Sequence, residues 1–525
     1  MLFYYFLLFI TSFLLLLVPL PFSQTSVYLH HQSEKTKRPK NTYGPPSYPI
    51  IGCLLSFYKN RHRLLQWYTD LLKKSPSKTM VVNRFGAPRT IITANPHNVE
   101  YILKSNFENY PKGRPFTALL GDFLGRGIFN VDGELWQVQR KFSSHEFSAR
   151  SLREFVVETL EEEVGEKLLP LLGIAAKNGK VLDLQEVLRR FAFDSICKVS
   201  LGVDPCCLDL SLSDETPPLA LAFDRASEFC AKRGVAPVPI VWKIKRALNL
   251  GSEKELKESV EIVRCYVNEI IESKKNKLAE KKKLDDKGGK GEGDLLSRLL
   301  LAGHDDEMVR DMVISFLMAG RDTTSSALTW FFWLISKNDG VKKNVLAEID
   351  ELNYINSELN SSLDYEDLKK MRYTKVCLCE SMRLYPPVVW DSKHAEKDDI
   401  LPDGTMVYKG NRVTYFQYGM GRILEEVWGE DCLEFKPERW FDEKGMIKMV
   451  SPYEFPVFQA GPRVCLGKEM AFIQMKYVVA SILERFEIEL VDSKEPAFVP
   501  LLTAFMAGGL KVRVHHRADR KKIVK

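Results

Sequence analysis

The chain has 525 residues, 45% of them hydrophobic and 27% charged, with a formal net charge of +6. Such proportions support a large apolar core and exclude a disordered chain, a collagen and a small disulfide scaffold. The excess charge falls between Lys511 and Lys525, so the remaining body is neutral, which argues against a nucleic-acid-binding fold with its basic face.

Residues 2–22 carry no charge. As a helix, the run up to Val18 would rise roughly 27 Å at about 1.5 Å per residue, close to the hydrocarbon thickness of a bilayer. It lacks a basic leading stretch and a small-x-small cleavage site, so a transmembrane anchor over residues 1–28 is preferred to a cleaved signal peptide. The cluster Lys35-Thr36-Lys37-Arg38-Pro39-Lys40 puts the body on the cytoplasmic side by the positive-inside rule, and it also serves as a solvated linker. Tyr43-Gly44-Pro45-Pro46-Ser47-Tyr48-Pro49 is stiff and cannot continue a helix, which predicts a hinge closing a basic, proline-rich linker over residues 29–52. A single large body over 53–510 and a basic tail over 511–525 complete the expected organisation.

Within the body, helical periodicity predicts helices over 151–172, 183–200, 254–284, 305–337 and 465–486. Strand-like alternation is confined to 80–84, 89–93, 405–408 and 482–490. The fold class is therefore mainly α with a small β part. Gly288-Gly289-Lys290-Gly291-Glu292-Gly293 follows no strand and lacks the order of a phosphate loop, so it reads as a solvated loop. The segment 305–337 begins with Asp305 and Asp306, suited to a helix N-terminus, and then becomes apolar nearly all round. Ala319-Gly320-Arg321-Asp322-Thr323-Thr324 interrupts it with groups that are costly inside a core unless they bond to the backbone or do chemistry.

The ten cysteines show no metal-binding spacing, so structural zinc is not expected and most are small buried hydrophobes. Cys465 differs. It closes Phe458-Gln459-Ala460-Gly461-Pro462-Arg463-Val464-Cys465-Leu466-Gly467, just before a helix, where free amides and the Arg463 guanidinium would favour a thiolate. Gly461 and Gly467 would permit a positive φ or close approach to a flat ligand. An axial thiolate under a metal macrocycle needs this arrangement, and a buried cysteine in a glycine-rich turn is the competing reading. Glu380-Ser381-Met382-Arg383 places opposite charges three apart on one helix face ended by Leu384-Tyr385-Pro386-Pro387, and Pro437-Glu438-Arg439-Trp440 adds a second arginine ahead of the cysteine loop.

In this order, and together with Trp136-Gln137-Val138-Gln139-Arg140, these motifs resemble a cytochrome P-450, a haem-thiolate monooxygenase, along nearly the whole chain. The resemblance implies that fold behind an N-terminal transmembrane helix, with haem as cofactor and Cys465 as the axial iron ligand. It implies propionate contacts at Trp136, Arg140 and Arg463, with His394 as a further one where relatives often carry arginine, and Phe458 and Gly461 beside the cofactor. Glu380, Arg383 and Arg439 would form a structural ion-pair network. Asp322 and Thr323 resemble the acid-alcohol pair of oxygen activation, with Gly320 letting the helix open. A threonine bonded back to its own helix is the competing reading.

Asn109-Tyr110-Pro111-Lys112-Gly113, Gly125 to Asn130, Ser144 to Ser148 and Asp391 to Ala395 look like plant ω-hydroxylases. That likeness implies oxidation of the terminal carbon of a fatty acid or, from the residues after Pro387, a jasmonoyl-amino acid. Terminal hydroxylation of a sterol side chain (C-26 type) is the alternative. A haem-bound sensor, or a relative that rearranges hydroperoxides without O₂, would need no reductase. The expected pocket draws on Phe116, Leu119, Leu120 and Phe123, on Phe316 and Ala319, on Val388 and Val389, and on Leu502 to Phe505. Each could equally be core. Arg114 is a candidate for a substrate carboxylate, against the reading of a surface arginine. Electrons are expected from NADPH through a membrane-bound reductase docking near Arg140, Lys141 and Lys468, at the endoplasmic reticulum membrane, with a single span and a cytosolic body. With that topology the sequon Asn360-Ser361-Ser362 stays unglycosylated in cells; a glycosidase-sensitive mass on this asparagine would reverse the orientation.

Overall fold

The computed structural model describes residues 43–517 apart from 149, 209–216, 237, 285–293 and 360–362. The expected anchor, the cluster at 35–40, the glycine-rich loop at 288–293 and the sequon lie outside the described residues. Among the described residues, no helix is long and apolar enough to cross a membrane.

The elements used below are α1 (Leu64–Lys74), β1 (Thr79–Val82), β2 (Thr90–Thr93), α2 (Gly113–Leu124), α3 (Gly133–Ser148), α4 (Leu184–Leu201), α5 (Pro218–Val235), α6 (Ser252–Leu284), α7 (Asp306–Ser336), α8 (Arg372–Leu384), β3 (Asp391–His394), β4 (Arg412–Tyr415), α9 (Lys468–Arg485), β5 (Phe486–Leu490) and β6 (Lys511–His516). Helices dominate, as the periodicity predicts. At the centre runs α7, whose N-cap Asp305 accepts a bond from the Met308 amide at 2.9 Å. It is buried on nearly every side and packs against α4, α8 and α9, so its apolar surface has no face to give to water. Trp330, fully buried on α7, stacks on Tyr385 with centroids 3.9 Å apart.

The main sheet has the order β1-β2-β4-β3, with β2 and β4 parallel and the outer pairs antiparallel. Paired residues share a face, so Val82, Thr90, Ile92, Ser392, Arg412 and Thr414 lie on one side, and Asp391, Lys393, Val413 and Tyr415 on the other. Three expectations shift. The run 482–490 is helical to Arg485 and extended only from Phe486. The tail expected at 511–525 begins as β6, which pairs with β5 and with Leu182–Asp183 and buries Val512 and Val514. Its alternation turns the charges outward, so composition concealed a strand. The proline-rich segment is not a free hinge, since Tyr43 accepts the Val81 amide at 2.8 Å. A Cβ on Gly44 would lie 2.2 Å from the Val81 carbonyl oxygen, so a glycine is needed where the segment meets β1.

One buried ion-pair network ties α8 to the segment before the cysteine loop. Arg383 grips Glu380 through Nε and Nη2, both at 2.8 Å. Arg439 Nε at 2.9 Å, Trp440 Nε1 at 2.9 Å and the Lys436 amide at 3.0 Å complete the carboxylate's partners. Burial would raise the Glu380 pKa, and the hydrogen bonds and charge of Arg383, with help from Lys436 and Arg439, bring it below its ordinary value. Arg383 also donates to the carbonyls of Gly421, Cys432 and Glu434. Replacing Glu380 by alanine strands the Arg383 charge in the core, so Glu380→Ala should lower unfolding free energy by about 3–5 kcal/mol, measured by urea denaturation followed through tryptophan fluorescence.

Candidate active site

The residues 458–467 form a tight loop between two short turns and α9. The Cys465 amide donates to the Phe458 carbonyl at 2.8 Å, closing the loop on itself. Gln459 takes φ +62°, a left-handed conformation that costs a non-glycine residue energy. Its side chain is held by the Tyr415 hydroxyl of β4, which also lies 2.9 Å from Asp391. Gly461 takes φ +64°, and a Cβ there would meet the Leu103 carbonyl at 1.9 Å. This glycine is therefore required by the neighbouring chain, and it does not line the cavity. That corrects its expected place beside the cofactor.

The Cys465 sulfur opens into a cavity of about 470 Å³. Burial pushes its thiol pKa up, against the Gly467 amide and the charges of Arg140 and Lys468. The guanidinium acting on the sulfur is thus Arg140, not Arg463 as the sequence order suggested. Arg463 also lines the cavity, seated over the Trp136 ring at 4.5 Å and bonded to Asp132 at 2.6 Å. Its Nε is buried without a partner, and Arg140 has no carboxylate partner among the described residues. Trp136 lies behind Arg463, not in the cavity wall. Phe458 is in the wall and packs on Phe472 at 5.2 Å.

His394 departs from expectation. Its Nδ1 lies 2.6 Å from the Lys112 carbonyl, burial pushes its pKa down to about 4, and it is not in the cavity wall. A neutral ring bonded to backbone cannot serve as a cation for a propionate. The buried cations of this region are Lys112 and Lys393, at 2.5 and 3.1 Å from Asp391. Burial would raise the Asp391 pKa, and the two ammonium charges instead hold it well below the ordinary carboxylate range. Sequence reasoning missed this trio, whose one signal was the lysine beside His394.

Opposite the cysteine loop, α7 stays α-helical from Asp306 to Ser336 without opening. Gly320 does not loosen it. A Cβ there would lie 2.5 Å from Ile196 Cδ1, so the glycine lets α4 approach. Thr323 lines the cavity and its Oγ1 donates to the Ala319 carbonyl at 2.6 Å, the back-bonded arrangement weighed above. Asp322 does not line the cavity. Consecutive helical residues point about 100° apart, and Asp322 faces Arg321, 3.4 Å away. The buried Arg321 pairs with Asp224 and sits over the rings of Phe193 and Phe223 at 5.0 and 5.5 Å, which compensates the polar break in the helix.

Phe116, Leu119, Leu120, Phe316, Ala319, Val388 and Leu502 line the cavity. Phe123, Val389 and Phe505 do not. Phe123 packs edge-on to Phe223 of α5 at 5.0 Å, Val389 is buried in the core with its carbonyl bonded to Tyr418, and Phe505 lies in a two-residue strand paired with Val499. Unforeseen wall residues are Phe147, Ile196, Thr324 and the sheet face that carries Thr90 and Arg412. Arg114 is exposed and outside the wall, as are Lys141 and Lys468, whereas Arg140 points inward.

Residues 43–510 match the family description Cytochrome P450. The chain belongs to the cytochrome P450 family. It is 60% identical over 489 residues to Cytochrome P450 94B1 of Arabidopsis thaliana, covering 92% of each chain. It is 57% identical over 513 residues to Cytochrome P450 94B3 of the same plant, covering 97% of this chain and 99% of that one. Cytochrome P450 94A1 of Vicia sativa is 46% identical over 481 residues, 90% of each. This P450 is accordingly a monooxygenase of a family that uses haem with a thiolate ligand and electrons from NADPH through a reductase. The residues present fit that cofactor: one cysteine sulfur open to the cavity, and two cavity-facing guanidiniums with unsatisfied donors for its two carboxylates.

Proposed function

We propose that this P450 hydroxylates the terminal carbon of the aliphatic chain of a fatty acid or jasmonoyl-amino acid. The observation that carries the reading is a single, mainly apolar cavity whose wall holds both Cys465 and Thr323. Phe116, Leu120 and Phe316 offer an alkyl chain a dry surface, and a chain entering end-first brings its methyl group to the sulfur side. The relatives named above come from plants, in keeping with the resemblance to plant ω-hydroxylases.

In this reading Cys465 would ligate the haem iron as a thiolate, although burial by itself favours the thiol. Arg140 and Arg463 would hold the propionates, with Trp136 fixing Arg463 from behind. Haem held there would supply O₂ activation, the overall reaction taking up two electrons from NADPH through the reductase and two protons from solvent, and leaving one oxygen in the product and the other as water. Thr323 presents a hydroxyl in the cavity that holds a proton at Oγ1, and Asp322 acts at one remove through the charged group outside the wall. The proposal includes a membrane anchor at residues 1–28, a body in the cytosol at the endoplasmic reticulum membrane, and docking of the reductase at the exposed Lys141 and Lys468.

Microsomes with a plant reductase and NADPH, offered dodecanoic acid, jasmonoyl-isoleucine and a hydroxylated sterol together, test the substrate class. Mass spectrometry should find oxygen on the terminal methyl of an acid; a product from the sterol alone would overturn the reading. Thr323→Ala should lower product by roughly 10²-fold while NADPH consumption continues and hydrogen peroxide accounts for the difference. Product and peroxide both unchanged would leave the hydroxyl only a group bonded back to its own helix.

A further inference from the structure

The cavity wall carries five cations, Arg84, Lys112, Arg140, Arg412 and Arg463, against the single carboxylate of Asp391. Lys112 is matched to Asp391 at 2.5 Å. Arg140 and Arg463 belong to the sulfur end, because Arg140 acts on Cys465 and Arg463 feels Arg140, Asp132 and Asp391. Arg84 and Arg412 remain, and they form a separate neighbourhood.

Tyr68 neighbours both arginines and Cys53 neighbours Arg84, while Arg412 feels the positive charge of Arg84 and the carboxylate of Asp391. Neither arginine has a carboxylate within ion-pair distance among the described residues. Arg412 spends only its Nε, donated to Ser392 Oγ at 2.9 Å, and its two Nη nitrogens have no partner there. Ser392 is itself fixed by Thr414 Oγ1 at 2.9 Å, so the guanidinium is anchored on the cavity face of β4. Arg84 sits over the Phe57 ring, 4.3 Å from its centroid, with a buried Nε that meets no acceptor. Tyr68, on α1, is in the wall of the same cavity. Burial lowers both guanidinium pKa values, and for Arg412 the carboxylate of Asp391, beyond ion-pair distance, offsets this only in part. Two guanidiniums with free donors in the wall of a mainly apolar cavity suit a planar monoanion.

We propose that Arg84 and Arg412, with Tyr68, form a subsite for the carboxylate of the substrate, holding its polar end while its alkyl end extends toward Cys465. The proposal rests on the terminal-hydroxylase reading and sharpens it, because fatty acids and jasmonoyl-amino acids carry the required anion and a sterol does not. It also replaces Arg114, which points away from the cavity.

The test uses full-length holoprotein, with substrate-induced shifts of the haem absorption giving Kd for dodecanoic acid, its methyl ester and dodecanol. The wild type should bind the acid at least about ten-fold more tightly than the ester. Arg84→Gln and Arg412→Gln should each weaken the acid on the order of ten-fold or more, moving the ester by less than about two-fold, in protein whose reduced carbon monoxide complex retains the thiolate band. The double substitution should erase the preference. Equal weakening of acid and ester, or an acid preference that survives both substitutions, would overturn the subsite while terminal hydroxylation of acids continued. Terminal oxygenation of the sterol with none of the acid would overturn the substrate reading and the subsite together. Should a variant fail to fold, equal wild-type affinities for acid and ester suffice to overturn the subsite.

Discussion

The position of the Cys465 sulfur depends on a carboxylate more than 80 residues earlier that never touches it. Glu380 is fully buried and receives two guanidiniums, one indole and one backbone amide. Burial of ions is expensive, and it is tolerated here because every acceptor site of the carboxylate is occupied. The arginines then reach outward. Arg383 holds three carbonyls of the 421–434 segment, and Arg439 holds Asp431, whose carboxyl is pulled down to about 2 by Lys436 and Arg439. Trp440, bonded to Glu380, packs edge-on to Phe455 at 5.0 Å, and Phe455 leads directly into the cysteine loop. An apolar core could fill the same volume, but it would leave those carbonyls without donors and the loop without a fixed starting point.

Across the cavity, α7 solves a different problem. An uninterrupted helix must carry polar side chains through the core, and its geometry sorts them by direction. Thr323 and Thr324 turn to the cavity, while Arg321 and Asp322 turn to α4 and α5, where Asp224 and two aromatic rings receive the charge. The close approach at Gly320 brings Ile196 into the cavity wall. One short motif thereby supplies a hydroxyl to the cavity and a charged group outside it. In the proposed mechanism, a proton passing between the two would travel around the helix.

Patterns local in sequence were readable in advance. The run expected over 305–337 is α7 at Asp306–Ser336, because continuous apolar character with an acidic start has few other meanings. The cysteine loop and the Glu380–Arg383 spacing were readable for the same reason. Direction was harder. His394 and Lys393 differ by one position in β3, and a one-residue shift reverses the face of a strand; the register with β4 decides the matter and is invisible without the partner. Phe123 and Val389 are apolar residues beside true wall residues, and only packing separates the two fates. Arg84 and Arg412 come together through pairing of β1, β2 and β4 across more than 300 residues, a separation no local pattern encodes.

That pairing also explains how two distant requirements are met by one small sheet. On one face of β3 and β4, Asp391 and Tyr415 connect to Gln459 and so to the loop that carries Cys465. On the other face, Ser392 and Thr414 set the guanidinium of Arg412. The two ends of the cavity are therefore held by alternate residues of the same strands, not by loops that could drift apart. With a carboxylate held at Arg84 and Arg412, the carbon that reaches the sulfur side is chosen by the length of chain between two fixed points. The stiffness of a hydrogen-bonded sheet is what makes that length a criterion.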